Sequence, residues 1–124
     1  MAQNKLQKFG PVALTNTYTT NIIAPAAAGA SAVGYTATAT YIILRHIRIV
    51  NKTAGAVTFR LFISTTGDNG AGTEFMGYDR SIAAAAWEDW YGQVRLEGSA
   101  GFLVGGASAN TSLTLTAEGE VGLV

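Results

Sequence analysis

Apolar and polar residues alternate along this chain with a period of two. In "AVTFRLFIS" Val57, Phe59, Leu61 and Ile63 fall on one side and Thr58, Arg60, Phe62 and Ser64 on the other, which is the pattern of a half-buried antiparallel strand. "TSLTLTAEGEV" repeats it, with Leu113 and Leu115 set against Thr114 and Thr116, and "PVALTNTYTTNIIA" is rich in residues that fit a pleated surface. "NKTAGA", "TTGDNGAGT" and "LEGSAG" between these runs are turn chemistry. No ten-residue segment carries an apolar stripe at helical spacing. "SIAAAAWEDW" offers a helical turn through its alanines, but an extended connection into "WEDWYGQVRL" fits better. There Trp87, Asp89 and Tyr91 take one face and Trp90 the other.

The segment "YIILRHIRIV", residues 41–50, breaks the alternation. As one uninterrupted strand, Arg45 shares a face with Ile43, Ile47 and Ile49, while His46 and Arg48 share the other with Ile42, Leu44 and Val50. An extra residue at Arg45-His46, a β-bulge, resolves the conflict. It gathers Ile42, Leu44, Ile47 and Ile49 inside and sends Arg45, His46 and Arg48 outward. With "NKTAGA" read as a turn between paired strands, Arg60 and Phe62 join them on one basic, partly aromatic outer face. Such a face is either a solvated surface, its arginine stems lying over apolar neighbours, or a protein interface, where arginine and aromatic residues are enriched. The candidate contact residues are Arg45, His46, Arg48, Arg60, Phe62 and Trp90.

The first forty residues read differently. Leu6, Phe9, Val12, Leu14, Ile22 and Ile23 are spaced by polar and small residues, and "APAAAGASAVGYTATAT" at 24–40 has little area to bury. This predicts an N-terminal arm or edge strand with a small-residue loop (1–40) that gains burial from a neighbour, ahead of a core at 41–124, within one domain.

Composition narrows the class. The 124 residues are 48% hydrophobic and only 13% charged, about half the usual charged share of about 25%, so one core and a weakly charged surface are expected. With no cysteine, disulfides and thiolate metal sites are excluded. "MAQNKLQKFG" lacks a signal-peptide apolar region, and no apolar run approaches a membrane span, so cytosolic synthesis is expected. Net charge is zero, against phosphate-driven nucleic-acid binding. Yet Lys5, Lys8, Arg45, Arg48, Lys52 and Arg60 precede residue 61 and all eight acids follow it. Either strands of the two halves interleave and pair within one chain, or basic and acidic sides meet between subunits.

Catalytic signals are lacking. A lone His46 in a strand has no nearby carboxylate in sequence, "GASAN" at 106–110 misses the second glycine of a nucleophile elbow, and Asp68, Asn69 and Gly70 do not match a calcium-loop spacing. "NKT" and "NTS" match glycosylation sequons only by chance in a protein without a secretion signal. No catalytic, cofactor or metal site is expected.

The run "LRHIRIVNKTAGAVTFRLFIS", then "GAGTEF", then "WEDWYGQVRLEGSAGFLVGGASANTSLTLTAEGE" resembles a group of small tailed-bacteriophage virion proteins over about residues 40–120. The resemblance implies an all-β structural protein without catalytic residues, with capsid decoration (cement) the first role and a tail or adsorption component the next. The expected fold is a single-domain antiparallel β-sandwich or jelly-roll-like domain of about eight strands with an extended N-terminal arm. The expected partners are the major capsid protein and further copies of the chain, a trimer favoured, with no nucleic acid and no membrane. The expected location is the virion, after synthesis in the host cytoplasm. A glycan-binding module using Trp87, Trp90 and Tyr91 is the alternative from another class.

Overall fold

A computed structural model describes residues 4–25, 35–37, 41–64, 73–96 and 101–122. Among them lie nine strands and no helix: β1 (Asn4–Ala13), β2 (Asn21–Pro25), β3 (Tyr35–Ala37), β4 (Tyr41–Asn51), β5 (Val57–Ser64), β6 (Glu74–Ile82), β7 (Trp87–Leu96), β8 (Phe102–Ala107) and β9 (Leu113–Gly122). The Ala-rich segment is a tight turn over 83–86, closed by the Ala86 amide donating to the Ala83 carbonyl at 3.1 Å. The glycine-rich 65–72 stretch, with Asp68–Gly70, falls outside the described residues, as do most of the 24–40 segment and the ends of the chain.

The strands form two sheets, in the orders β1-β9-β4-β7 and β3-β2-β8-β5-β6. Apart from the short parallel partner β3, the pairing is nested. β1 pairs with β9, β2 with β8, β4 with β7 and β5 with β6, each antiparallel. Rolled up, these four pairs meet along β4–β9 and β5–β8, which is the winding of a jelly-roll sandwich. Phe9, Leu14, Ile22, Ile23, Ile42, Leu44, Ile47, Ile49, Phe59, Leu61, Leu96, Leu103, Leu113 and Leu115 fill the space between the sheets.

The bulge in β4 is present. Leu44 faces Gly119 and His46 faces the next residue along β9, Glu118, so Arg45 is the additional residue. Ile42, Leu44, Ile47 and Ile49 are fully buried while Arg45 and Arg48 are exposed. Gly119 permits the close approach at this point, because a Cβ there would stand 1.9 Å from the Ile43 carbonyl oxygen.

Two expectations are corrected. β4 and β5 are not a hairpin, because they belong to opposite sheets, and "NKTAGA" carries the chain across the sandwich. Both strands point apolar residues into the same core, so period two alone cannot tell a hairpin from a crossover. Secondly, β1 is the edge strand expected of the N-terminal segment, but the described residues take their burial from this chain and not from a neighbour. β1 is the outer strand of the first sheet, and Phe9, Val12, Leu14, Ile22 and Ile23 are buried in this chain's own core. Their wide spacing is what a strand covered on one face requires.

Asn51 anchors the crossover. It is fully buried, and its Nδ2 donates to the carbonyls of Gly55 (2.9 Å), Ile82 (3.0 Å) and Ala83 (3.2 Å), while Oδ1 accepts from the Thr53 amide (2.9 Å) and hydroxyl (2.7 Å). One side chain thus ties the β4–β5 connection to the β6–β7 turn. Its burial also removes the Asn51 sequon from reach in the folded chain.

Candidate recognition face

Placement in two sheets divides the candidate residues into three groups. Arg45, His46 and Arg48 lie on the outer face of the four-stranded sheet, beside Asp89 and Tyr91 of β7 and Glu118 and Glu120 of β9. Arg48 grips Asp89 with two bonds, Nε to Oδ1 at 2.7 Å and Nη2 to Oδ2 at 3.0 Å, and His46 Nε2 lies 2.9 Å from the same Oδ1. These hydrogen bonds, Arg48's first and His46's second, hold the Asp89 carboxyl far below the usual carboxylate range, and the same pairing raises the Arg48 guanidinium. On the other side His46 Nδ1 is 3.6 Å from Glu118 Oε1, and the Tyr91 ring stacks on the imidazole at 4.5 Å and 14°. Arg45 donates to Glu120 Oε2 through both Nε and Nη2.

Arg60 belongs to the other sheet. Its guanidinium is bonded to both Asp79 oxygens at 2.6 and 2.9 Å and lies over the rings of Tyr18 (4.5 Å) and Tyr78 (4.2 Å). The Arg60 hydrogen bond lowers the Asp79 carboxyl, as that with Asp79 raises the guanidinium. Phe62 and Trp90 depart from the expected outward placement. Phe62 is only 3% exposed, in a second cluster with Ala24, Phe102 and Val104 that covers the other side of its sheet. Trp90 turns toward the core, edge-on to Phe75 with ring centroids 4.9 Å apart. The exposed aromatics of β7 are instead Trp87 (59%) and Tyr91 (70%), the alternation partners of Asp89.

Part of the charge asymmetry of the sequence is paired within the chain. Arg45–Glu120, Arg48–Asp89 and Arg60–Asp79 each join an early cation to a late acid across strands, and Arg80–Glu88 bridges the two sheets. Antiparallel nesting of early on late strands brings these arginines and acids together within one chain.

Between β1, β4 and β9 the outer face holds a shallow concavity of ≈ 270 Å³ lined by Lys8, His46, Arg48, Thr116, Ala117 and Glu118. Lys8, Thr116 and Glu118 were not singled out from the sequence, because only the register of β1 on β9 on β4 sets them beside His46. Among the described residues no group of three or more His, Cys, Asp or Glu is placed to hold a metal ion, and no helix is long and apolar enough to cross a membrane.

What fold and face define is a jelly-roll sandwich around an apolar core, with charged and aromatic side chains on its outer faces. Compared with known proteins, the chain matches no family model, no curated protein and no solved structure.

Proposed function

We propose that this chain is a non-enzymatic structural protein of a tailed-bacteriophage virion, a decoration (cement) protein that seats on the major capsid protein and stabilises the head. The observation that carries this reading is the nested jelly-roll winding around an apolar core. Jelly rolls of this kind recur in viral capsid and lectin domains. The segments that resemble phage virion proteins supply β5, β7, β8 and most of β4 and β9, the central strands of both sheets among them. A cysteine-free, weakly charged chain suits a lattice held by packing alone. The outer face with Arg45, His46 and Arg48 is the side proposed to meet the capsid, its charged groups setting orientation and its exposed Trp87 and Tyr91 supplying burial. No catalytic step and no cofactor enter the proposal.

Cryo-electron microscopy of particles purified with and without the chain tests it. Regular density on the head is the expected result. Density on the tail would transfer the protein to a tail-associated or host-adsorption role, and particles that never contain the chain would overturn the virion reading.

One observation favours a second, lectin-like reading. Trp87 and Tyr91 are exposed on the same face of one strand, four residues and so roughly 13 Å apart, a spacing that suits stacking on two units of a glycan. Quenching of tryptophan fluorescence by an oligosaccharide, abolished in Trp87→Ala, would support it.

A further inference from the structure

Among the described residues each sheet has two edge strands with a partner on one side only, and three of the four edges are blunted. β1 contains Pro11, which offers no amide, beside a shift in its pairing with β9. β6 leaves Asp79 and then Met76–Gly77 outside its ladder with β5, all three at positive φ. β3 is three residues long. Such devices keep sheet edges from pairing with other chains. β7 has ten residues with no proline and no positive φ, and its one irregularity is that Gly92 and Gln93 together oppose Arg45. It also carries both of the most exposed aromatic side chains, Trp87 and Tyr91. The Asn51 amide donates to the Ala86 carbonyl at 2.9 Å, so the alternation of an antiparallel ladder turns the amides of Trp87, Asp89 and Tyr91 away from β4, toward the open side.

We infer that β7 pairs edge to edge with β7 of a second copy, antiparallel, about a twofold axis at Tyr91. Side chains opposite each other across such a seam must share a face, which allows only registers that match odd positions with odd. With Tyr91 opposite Tyr91, Asp89 meets Gln93 and Trp87 meets Arg95, so the outer row has an aromatic pair at its centre and two polar pairs beside it, with Arg95, whose guanidinium lies over Tyr41 of its own chain at 4.6 Å, next to each tryptophan. No like charges face each other. The register one step toward the start of β7, with Asp89 on the axis, sets two carboxylates opposite and is disfavoured. A second copy therefore satisfies the outward amides and sets Tyr91 beside Tyr91 with one contact, leaving the outer face of the joined sheet open, and it is isologous, as twofold dimers are. The edge geometry carries a twofold pair, a different assembly from the trimer expected from the sequence, and it is independent of where the protein acts.

The absence of native cysteine makes the seam directly readable. Opposed Cα atoms of a hydrogen-bonded pair lie about 5.5 Å apart, within disulfide range. Tyr91→Cys should give a covalent dimer under mild oxidation, whereas Lys8→Cys on β1, at the far edge of the same sheet, should stay monomeric. In sedimentation equilibrium the parent should reach twice the 12.9 kDa chain mass, and Tyr91→Pro, which deletes a seam amide, should return to one. A parent that stays monomeric at its highest soluble concentration would overturn the inference, as would Lys8→Cys cross-linking as readily as Tyr91→Cys. If Tyr91→Pro fails to fold, the cysteine pair decides.

Discussion

Replacing Asn51 by alanine should be among the most damaging polar substitutions in this protein. The side chain is fully buried and meets five backbone or hydroxyl groups on two connections. Of these the Ile82 carbonyl is the buried one, and an orphaned buried acceptor costs about 1–3 kcal/mol. The Gly55 and Ala83 carbonyls and the Thr53 donors are only partly buried, so water recovers part of their bonds, and together they add about 1 kcal/mol. The sum is about 2–4 kcal/mol, or a fall in Tm of roughly 10 °C for a chain of this size. Urea denaturation followed by tryptophan fluorescence reads it, with the slope unchanged and the midpoint lowered. Asn51→Asp sharpens the test. It keeps the acceptor toward Thr53 but turns a carboxylate oxygen on three carbonyls, which raises its folded pKa. Its loss should therefore exceed that of alanine at neutral pH and shrink as pH falls toward about 4, where the unfolded carboxyl also protonates. A change below about 1 kcal/mol in Asn51→Ala would refute the claim that this side chain holds the crossover to the β6–β7 turn.

Phe9→Ala should cost about 3–5 kcal/mol, and deletion of residues 1–10 should abolish the cooperative unfolding transition, because β1 completes a sheet and Phe9 sits in the core; circular dichroism melts check both. Gly119→Ala should lose about 3 kcal/mol or more in the same melts, since its Cβ would collide with the Ile43 carbonyl at the bulge. The depressed Asp89 and Asp79 carboxyls stabilise the fold above the unfolded carboxylate pKa of about 3.9, and that stabilisation drains as pH falls from there toward their lower folded values. Asp89→Asn should accordingly flatten the acid limb of the stability curve measured by urea denaturation between pH 5 and pH 2, and an unaltered limb would count against the Arg48–Asp89–His46 cluster.

The local patterns of this chain carry a good deal of its structure. Alternation along "AVTFRLFIS" marks β5 and its inward residues, and the conflict in "LRHIRIV" is enough to demand a bulge at Arg45, because a pleated strand must send successive side chains to opposite faces whatever its partners. For the same reason "WEDWY" separates Trp87, Asp89 and Tyr91 from Trp90. The absence of an apolar stripe at helical spacing excludes a long amphipathic helix equally locally. Which sheet each strand enters is another matter. A strand of period two buries its apolar face equally well as the second arm of a hairpin or across a sandwich, so the step from β4 to β5 rests on the bonds of Asn51 to residues 31 and 32 positions away. The same long-range choice moved Arg60 and Phe62 away from Arg48, covered Phe62 with Phe102 and Val104, and drew Phe9 and Ile22 out of a supposed arm into the core. It also turned a charge imbalance between sequence halves into ion pairs, since β9 and β7 must come back to lie against β4 before Glu120 and Asp89 reach Arg45 and Arg48. Side-chain direction is decided by neighbours in sequence, but strand partnership is decided by the total burial of all strands at once, and only the folded chain evaluates that sum.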